Sequence, residues 1–389
     1  MFAALFSLLR ALLLAATLGG IAYLVAAVVS VAAFARRRPP PSPVRFPPVT
    51  VLKPVCGLDP GLRENLRSFC AQDYPLYQVI FGVRDADDPA VPVIREVLRE
   101  FPSLDADLVI DDRVIGKNLK VSNLFNMMPR ARHDLLVIAD SDMRVGDDYL
   151  SAVAAPFEDP AVGAVTCIYS GTPGPGLPSA LGAMYINEWF LPSVLVAVSF
   201  RKLRFCFGAT MAVRREALAA IGGMETLAPY LADDYMLGNR VSECGYKVSL
   251  APYVVEGIVC EPGFRSLLVH ELRWARTIRA CRPAGYAFSV LGNGAVSVSA
   301  LHLLASGFGT AGMALFGASI GLRALLHVAV TAVVRGPAPS GAWRIPLRDA
   351  LCLAIWAAGF LGRGVEWRGK TFSVRPDGHL GADRDGGTP

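Results

Sequence analysis

Hydrophobic positions are continuous at the two ends of the chain and periodic in its middle. From Ala11 to Phe34 there are 24 positions without a charged side chain, enough helix to cross a hydrocarbon core of roughly 30 Å. A secretory h-region is shorter and ends at small residues, whereas Arg36, Arg37 and Arg38 follow this block directly. Residues 1–35 therefore read as a retained transmembrane anchor. Three arginines against a lone Arg10 predict that the chain continues in the cytoplasm. Residues 36–48, with the run PPPSPVRFPP, read as a semi-rigid extended linker.

From Val49 to about Pro160 short β-branched runs alternate with helical periodicity, the pattern of a mostly parallel sheet covered by helices. VTVLKPV, YQVIFGVRD, ADLVIDD and HDLLVIADSD predict four strands. DPGLRENLRSFCAQ predicts a helix with Asp59 as N-cap and Pro60 in the first turn, and PAVPVIREVLREF a second helix. FCFGATMAVRREALAAIGG reads as a strand, a helix and a glycine stop. The catalytic domain is expected over 49–264 and a basic helix over 265–282. From Pro283 to Leu322 forty positions carry no formal charge, which predicts a transmembrane hairpin over 283–335. The apolar block from Ala350 is short for a span, so 346–375 is expected to lie in the interface or to re-enter, and 376–389 to be disordered.

Composition narrows the class. Apolar residues make up 53% of the chain and the mean hydropathy is +0.41, which fits a membrane protein. A net charge of +5 over 389 residues does not imply nucleic acid, but local basic clusters beside apolar runs suit anionic lipid. The eight cysteines are scattered without a C-x-x-C pair or zinc-type spacing, and read as reduced, mostly buried thiols on the cytosolic side.

Candidate chemistry lies where strands end in acid. An open α/β sheet binds ligands at the carboxyl ends of its strands, and two ends here carry Asp85, Asp87 and Asp88 in VRDADD, and Asp140 and Asp142 in ADSD. Aspartates after a strand also serve as turn formers and helix caps. LLVIA, however, delivers two carboxylates one residue apart, which suits Mg²⁺ or Mn²⁺ carrying a diphosphate. GKNLKVSNLFNMMP, with Lys117 and Lys120, is either an amphipathic helix with solvated lysines or a cradle for donor phosphates. Asp233 and Asp234 open a later helix, as dipole partners or as the third acidic part of the site. In HELRWARTIR, Arg273, Arg276 and Arg279 share one helical face while Leu272, Ala275 and Ile278 point largely elsewhere, as in an interfacial helix. Trp274 offers a flat apolar face for a sugar ring or an acceptor.

The order VRDADDP, ADSD, ADDY and HELRW resembles the inverting nucleotide-sugar glycosyltransferases with a GT-A fold, in particular the ceramide glucosyltransferase family and its bacterial hopanoid-associated branch. The resemblance runs from about Val49 to Arg282 and on through the membrane layout. It implies an α/β GT-A catalytic domain with N- and C-terminal transmembrane helices. It also implies that Asp85 binds nucleotide, that Asp140 and Asp142 hold a metal diphosphate, that Asp234 is the catalytic base, and that Arg273 and Trp274 belong to a (Q/R)-x-x-R-W motif. His270 stands where that motif has Gln or Arg, a departure that argues against processive synthesis.

The expected protein is thus a multi-pass enzyme of the inner membrane, its catalytic domain cytoplasmic, moving one hexose from UDP-N-acetylglucosamine or UDP-glucose to a hydroxyl of a hopanoid polyol or ceramide. Its partners would be the UDP-sugar, the lipid acceptor and the membrane, with no nucleic acid. The rivals are a processive polysaccharide synthase and a non-catalytic scaffold of the same fold. A transporter is disfavoured because the expected spans carry no acidic or basic residue at mid-membrane depth apart from histidines.

Overall fold

The computed structural model describes residues 2–37, 43–334, 341–367, 370–375 and 378–381. Two compact units emerge, one from Arg38–Ser170 and Arg201–Ile258, the other from Met1–Arg37, Gly171–Phe200 and Val259–Pro389. The first is termed the sheet unit and the second the helical unit.

Eight strands form one sheet: β1 Val49–Pro54, β2 Tyr77–Val83, β3 Asp105–Ile110, β4 Leu135–Ile138, β5 Met143–Arg144, β6 Val162–Pro173, β7 Met211–Arg214 and β8 Lys247–Val259. Their order is β3-β2-β1-β4-β7-β6-β8-β5. The run β3-β2-β1-β4 is parallel, β7 lies antiparallel to both β4 and β6, and β5 antiparallel to β8. β1 and β4 are buried at every position, as strands covered on both faces must be; β4 is a continuous apolar run, and β1 is one broken by Thr50 and Lys53. Helix Leu62–Cys70 buries Leu62, Leu66 and Phe69, and helix Ala90–Glu100 buries Ala90, Ile94 and Val97, the three-to-four spacing that aims one stripe at a core.

Register fixes where the acids fall. Leu52 pairs with both Ile80 and Ile138, so the carboxyl ends of β2, β1 and β4 share one edge of the sheet. Because Ile138 pairs with Met211 at the start of β7, the turn before β7, closed by the Phe207–Thr210 bridge, reaches that edge too. The expected cap at Asp59 is corrected. The helix begins at Leu62 after Gly61 in the left-handed region (φ 70°), and the Asp59 carboxylate instead accepts a hydrogen bond from Ser141 Oγ at 2.5 Å.

Among the described residues of the helical unit three helices are long and apolar enough to cross a membrane: Phe2–Ala35, Leu177–Phe200 and Thr310–Thr331, of 34, 24 and 22 residues. Leu177–Phe200 falls inside the range 49–264 expected for the catalytic domain, yet it packs with the terminal helices. The first arm of the expected hairpin is a pair, Pro283–Asn293 and Ala295–Ala305, bent by 67°.

Charge inside this unit corrects the expectation of spans without it. Glu188 of helix Leu177–Phe200 accepts Arg323 Nη2 at 2.6 Å and lies 2.9 Å from His327 Nδ1. Arg323 Nε is 3.5 Å from Asp349, and its guanidinium lies over Trp189 at 4.2 Å. Arg323 interrupts the apolar run in sequence, but it sits within Thr310–Thr331 with 4% of its surface exposed.

The expected interfacial segment contains helix Ile345–Gly359 and a hairpin of β9 Gly364–Trp367 with β10 Lys370–Ser373. Of the tail expected to be disordered, 376–377 and 382–389 lie outside the described residues. Leu380 bridges Val374 and is buried. None of the eight cysteines is in a disulfide, with Cys70, Cys167, Cys206 and Cys352 buried and Cys56 and Cys244 exposed.

Candidate active site

At the shared edge of the sheet unit, backbone geometry gathers side chains from four places in sequence. β4 ends at Asp140. Helix Leu119–Met127, capped by Asn118 Oδ1 accepting from the Val121 amide, presents Lys120. Asn118 also ties in the first turn of helix Asp233–Glu243, since its Nδ2 donates to the Tyr230 carbonyl at 2.9 Å and to Asp233 Oδ1 at 3.3 Å. Lys120 Nζ then lies 2.6 Å from Asp140 Oδ1 and 3.3 Å from Asp233 Oδ2. A methyl group on Gly208 would come within 2.7 Å of Asp140 Oδ2 and 3.6 Å of Asp234 Oδ2, so only a bare backbone fits between these carboxylates.

Like charges and burial set the electrostatics. Asp142 is pushed up to about 7 by burial and by Asp140 and Asp59. Asp234 is pushed up to about 6 by burial and by Asp233, with Lys120 opposing the rise. Burial works against the Lys120 ammonium, but Asp140, Asp233 and Asp234 outweigh it and hold Lys120 well above its ordinary value. A carboxyl near 6 can shed and take a proton at neutral pH, the condition for a general base.

Two residues escaped the sequence reading. Lys53 is wholly buried at the end of β1, donating to the Asp140 carbonyl at 2.5 Å, with its Nζ 3.7 Å from the Phe69 ring centroid. Burial lowers it to about 7 against the pull of Asp142, Asp140 and Asp59. Its signal is a lone charge in a central strand whose other polar residue is Thr50. The pattern FCFGATMAVR places Gly208 in a strand, whereas it precedes β7 in the turn closed by the Phe207–Thr210 bridge.

The structure therefore brings together Lys120, Asp140, Asp142, Asp233 and Asp234. Asp85 is exposed after β2, its carboxylate accepting the Asp87 amide at 3.0 Å, and Lys117 precedes the Asn118 cap. Arg273 and Trp274 belong to the helical unit, on helix Phe264–Cys281. There Trp274 stacks on Tyr185 (5.8 Å, 20°) and meets His270 at 4.2 Å, so one of its faces is already covered. His270 Nδ1 lies 2.8 Å from Glu261 Oε1, and Ser266 donates to Oε2 at 2.5 Å. Burial opposes ionisation of Glu261, but His270 and Ser266 outweigh it and hold the carboxyl below its usual range. Arg276 donates to the carbonyls of Gly364 and, at 3.0 Å, Leu361, and Arg279 to Gly362 at 2.6 Å. Two of the three arginines expected to face headgroups thus hold chain that follows helix Ile345–Gly359.

The donor set fits a hard divalent cation in chemistry, being all carboxylate. Asp233 Oδ2 is buried and receives no hydrogen bond, and Asp142 is held among like charges that a cation would relieve. Among the described residues no three metal-ligating side chains close a site by themselves, so diphosphate and water would have to complete the shell.

The sequence profile of glycosyl transferase family 21 matches residues 12–380. The chain belongs to that family. A ceramide glucosyltransferase of Caenorhabditis elegans (number 3) is 26% identical over 239 residues, 61% of this chain and 52% of the relative. The Komagataella phaffii ceramide glucosyltransferase is 33% identical over 122 residues, 30% of this chain and 24% of that one. The chain thus spans about half the length, or less, of these curated relatives. A mannosyltransferase from Pyrobaculum calidifontis, solved with GDP-Man and Mn²⁺, superposes with a TM-score of 0.57 over 91% of this chain and 99% of its own, at 21% identity. That likeness shows the fold, a GT-A arrangement in this family 21 protein as in the mannosyltransferase.

Proposed function

We propose that this protein is a membrane-bound, inverting hexosyltransferase that moves a single sugar from a UDP-sugar to a hydroxyl of a membrane lipid at the cytosolic face of the inner membrane. The observation that carries the proposal is Asp234, poised near 6 at the edge where Asp140, Asp142 and Lys120 converge. Family membership supports a glycosyl transfer, and the ceramide glucosyltransferases among its relatives support a lipid acceptor. UDP-N-acetylglucosamine with a hopanoid polyol is preferred over UDP-glucose with ceramide.

In the proposed mechanism Asp234 Oδ accepts the acceptor's hydroxyl proton as that oxygen attacks the anomeric carbon. Asp140 and Asp142 would hold Mg²⁺ or Mn²⁺, which when bound supplies charge neutralisation for the leaving UDP. Lys120 keeps a positive charge between Asp140 and the Asp233–Asp234 pair, so the base remains ionised at neutral pH. Lys117 and Asp85 are assigned to the nucleotide, and Arg273 and Trp274 to the diphosphate and the acceptor.

The test incubates membranes with labelled UDP-N-acetylglucosamine or UDP-glucose and with hopanoid polyol, ceramide or diacylglycerol, following lipid products by mass spectrometry. Asp234→Asn at equal expression should lower turnover by about 10² to 10⁴. Product formation at the wild-type rate in that variant would defeat the assignment, and polymeric product would favour the processive alternative.

A further inference from the structure

The helical unit holds a wholly buried arginine that the proposed chemistry does not use. Arg348, on helix Ile345–Gly359, has none of its surface exposed. Its Nη1 and Nη2 each donate to one oxygen of Glu271 at 2.6 Å. Nη1 also reaches the Leu181 carbonyl and Nε the Cys352 sulfur, both at 3.2 Å. One planar guanidinium thus joins helix Phe264–Cys281, helix Leu177–Phe200 and its own.

The same group bears on Trp274 by two routes. Glu271 and Trp274 are three residues apart on one helix, hence on adjoining parts of one face, so fixing Glu271 fixes how that helix is rotated about its axis. The guanidinium carbon also lies 5.3 Å from the Tyr185 ring centroid, and Tyr185 is the ring stacked on Trp274. A buried ion pair adds little stability over an apolar pair of the same volume. A bidentate fork admits one orientation where an apolar contact admits several. We infer that Arg348 is a positioning residue for transfer: through Glu271 and Tyr185 it sets the azimuth of the helix face that presents Arg273 and Trp274.

This inference rests on the roles proposed above for Arg273 and Trp274, and the test lets the two fail separately. Three full-length variants are compared in detergent with the wild type: Arg348→Lys, the double variant Arg348→Met with Glu271→Met, and Trp274→Ala. Arg348→Lys keeps a charge opposite Glu271 but loses the fork and the planar face. The double variant removes both charges, so no lone buried ion is left to unfold the protein. Each is assayed for kcat and KM with the UDP-sugar and lipid turned over in the screen above, for thermal midpoint, and for binding of UDP with Mn²⁺.

The expected result is a kcat lowered about tenfold in Arg348→Lys and in the double variant, with the thermal midpoint of the double variant and the UDP–Mn²⁺ affinity of both unchanged, and a loss at least as large in Trp274→Ala. Wild-type kcat in the double variant while Trp274→Ala is impaired would overturn the inference and leave the role of Trp274 standing. Wild-type kcat in Trp274→Ala would overturn that role and the inference with it. A loss of kcat in the double variant that tracks a lowered midpoint would assign Arg348 to folding alone, against the inference.

Discussion

The two units handle buried charge in opposite ways. In the helical unit the four acids described at depth each face a base: Glu188 meets Arg323 and His327, Glu261 meets His270, Glu271 meets both arms of Arg348, and Asp349 lies 3.5 Å from Arg323. In the sheet unit Asp140, Asp142, Asp233 and Asp234 crowd around Lys120 and Lys53, so carboxylates outnumber ammonium groups and two of them are pushed up to about 6 and 7. Matched charge fixes helices in place, whereas an uncancelled excess of one sign is held ready for something that arrives carrying the other. Family 21 membership makes the protein a glycosyltransferase, and the transfer proposed above would use that excess to take up a cation and a proton.

The comparison can be broken by removing one carboxylate from each unit. Glu188→Ala takes from Arg323, only 4% exposed, its shortest carboxylate contact and leaves it Asp349 at 3.5 Å, and should cost about 3 kcal/mol, seen as a lower thermal midpoint in detergent. An unchanged midpoint would mean that the pairing is not architectural. Asp142→Ala should behave in reverse. Its removal relieves repulsion from Asp140 and Asp59 but takes from buried Lys53 its foremost carboxylate, so the midpoint should change little, while turnover falls about a hundredfold, roughly 2.7 kcal/mol. Excess EDTA should reproduce that loss in wild type, and full activity in the chelator would remove the metal from the site.

A smaller effect concerns pH. A base whose proton is held up to about 6 is active when ionised, so kcat/KM should be flat above that value and fall tenfold per unit below it. Lys120 opposes the rise at Asp234, so Lys120→Met should carry the acid limb to higher pH. A limb near 4, the ordinary aspartate value, would show that Asp234 is not the group titrating.

Much of this site was legible in sequence. An apolar strand running into ADSD announces its carboxylates because β4 is buried on both faces and must change character abruptly where it leaves the core. The acids of LADDYM were visible as a helix start, but only the Asn118 contacts show that this start meets the Lys120 helix. Lys53 was hidden because a lysine in a strand reads as a solvated edge. Helix Leu177–Phe200 was hidden by Glu188, whose partners lie more than 130 residues away. Arg276 and Arg279 had the period of a lipid-facing stripe, yet sequence cannot distinguish a headgroup phosphate from a backbone carbonyl as the acceptor. Arg348 stands two residues before the apolar block from Ala350, and nothing in that position announces its partner Glu271 on another helix.

Within helix Leu177–Phe200 the residues Ile186–Phe190 wind as a π turn, which amounts to an α-helix with one residue inserted. Each α-helical residue advances the chain by about 100°, so the insertion decides which way Glu188 points and how Leu191–Phe200 is phased against what precedes it. Deleting a single residue here would leave a helix of sound winding whose second half presents another side. Length differences of one residue among relatives should therefore collect at this turn, and where the extra residue is missing the glutamate and its distant arginine should be missing together.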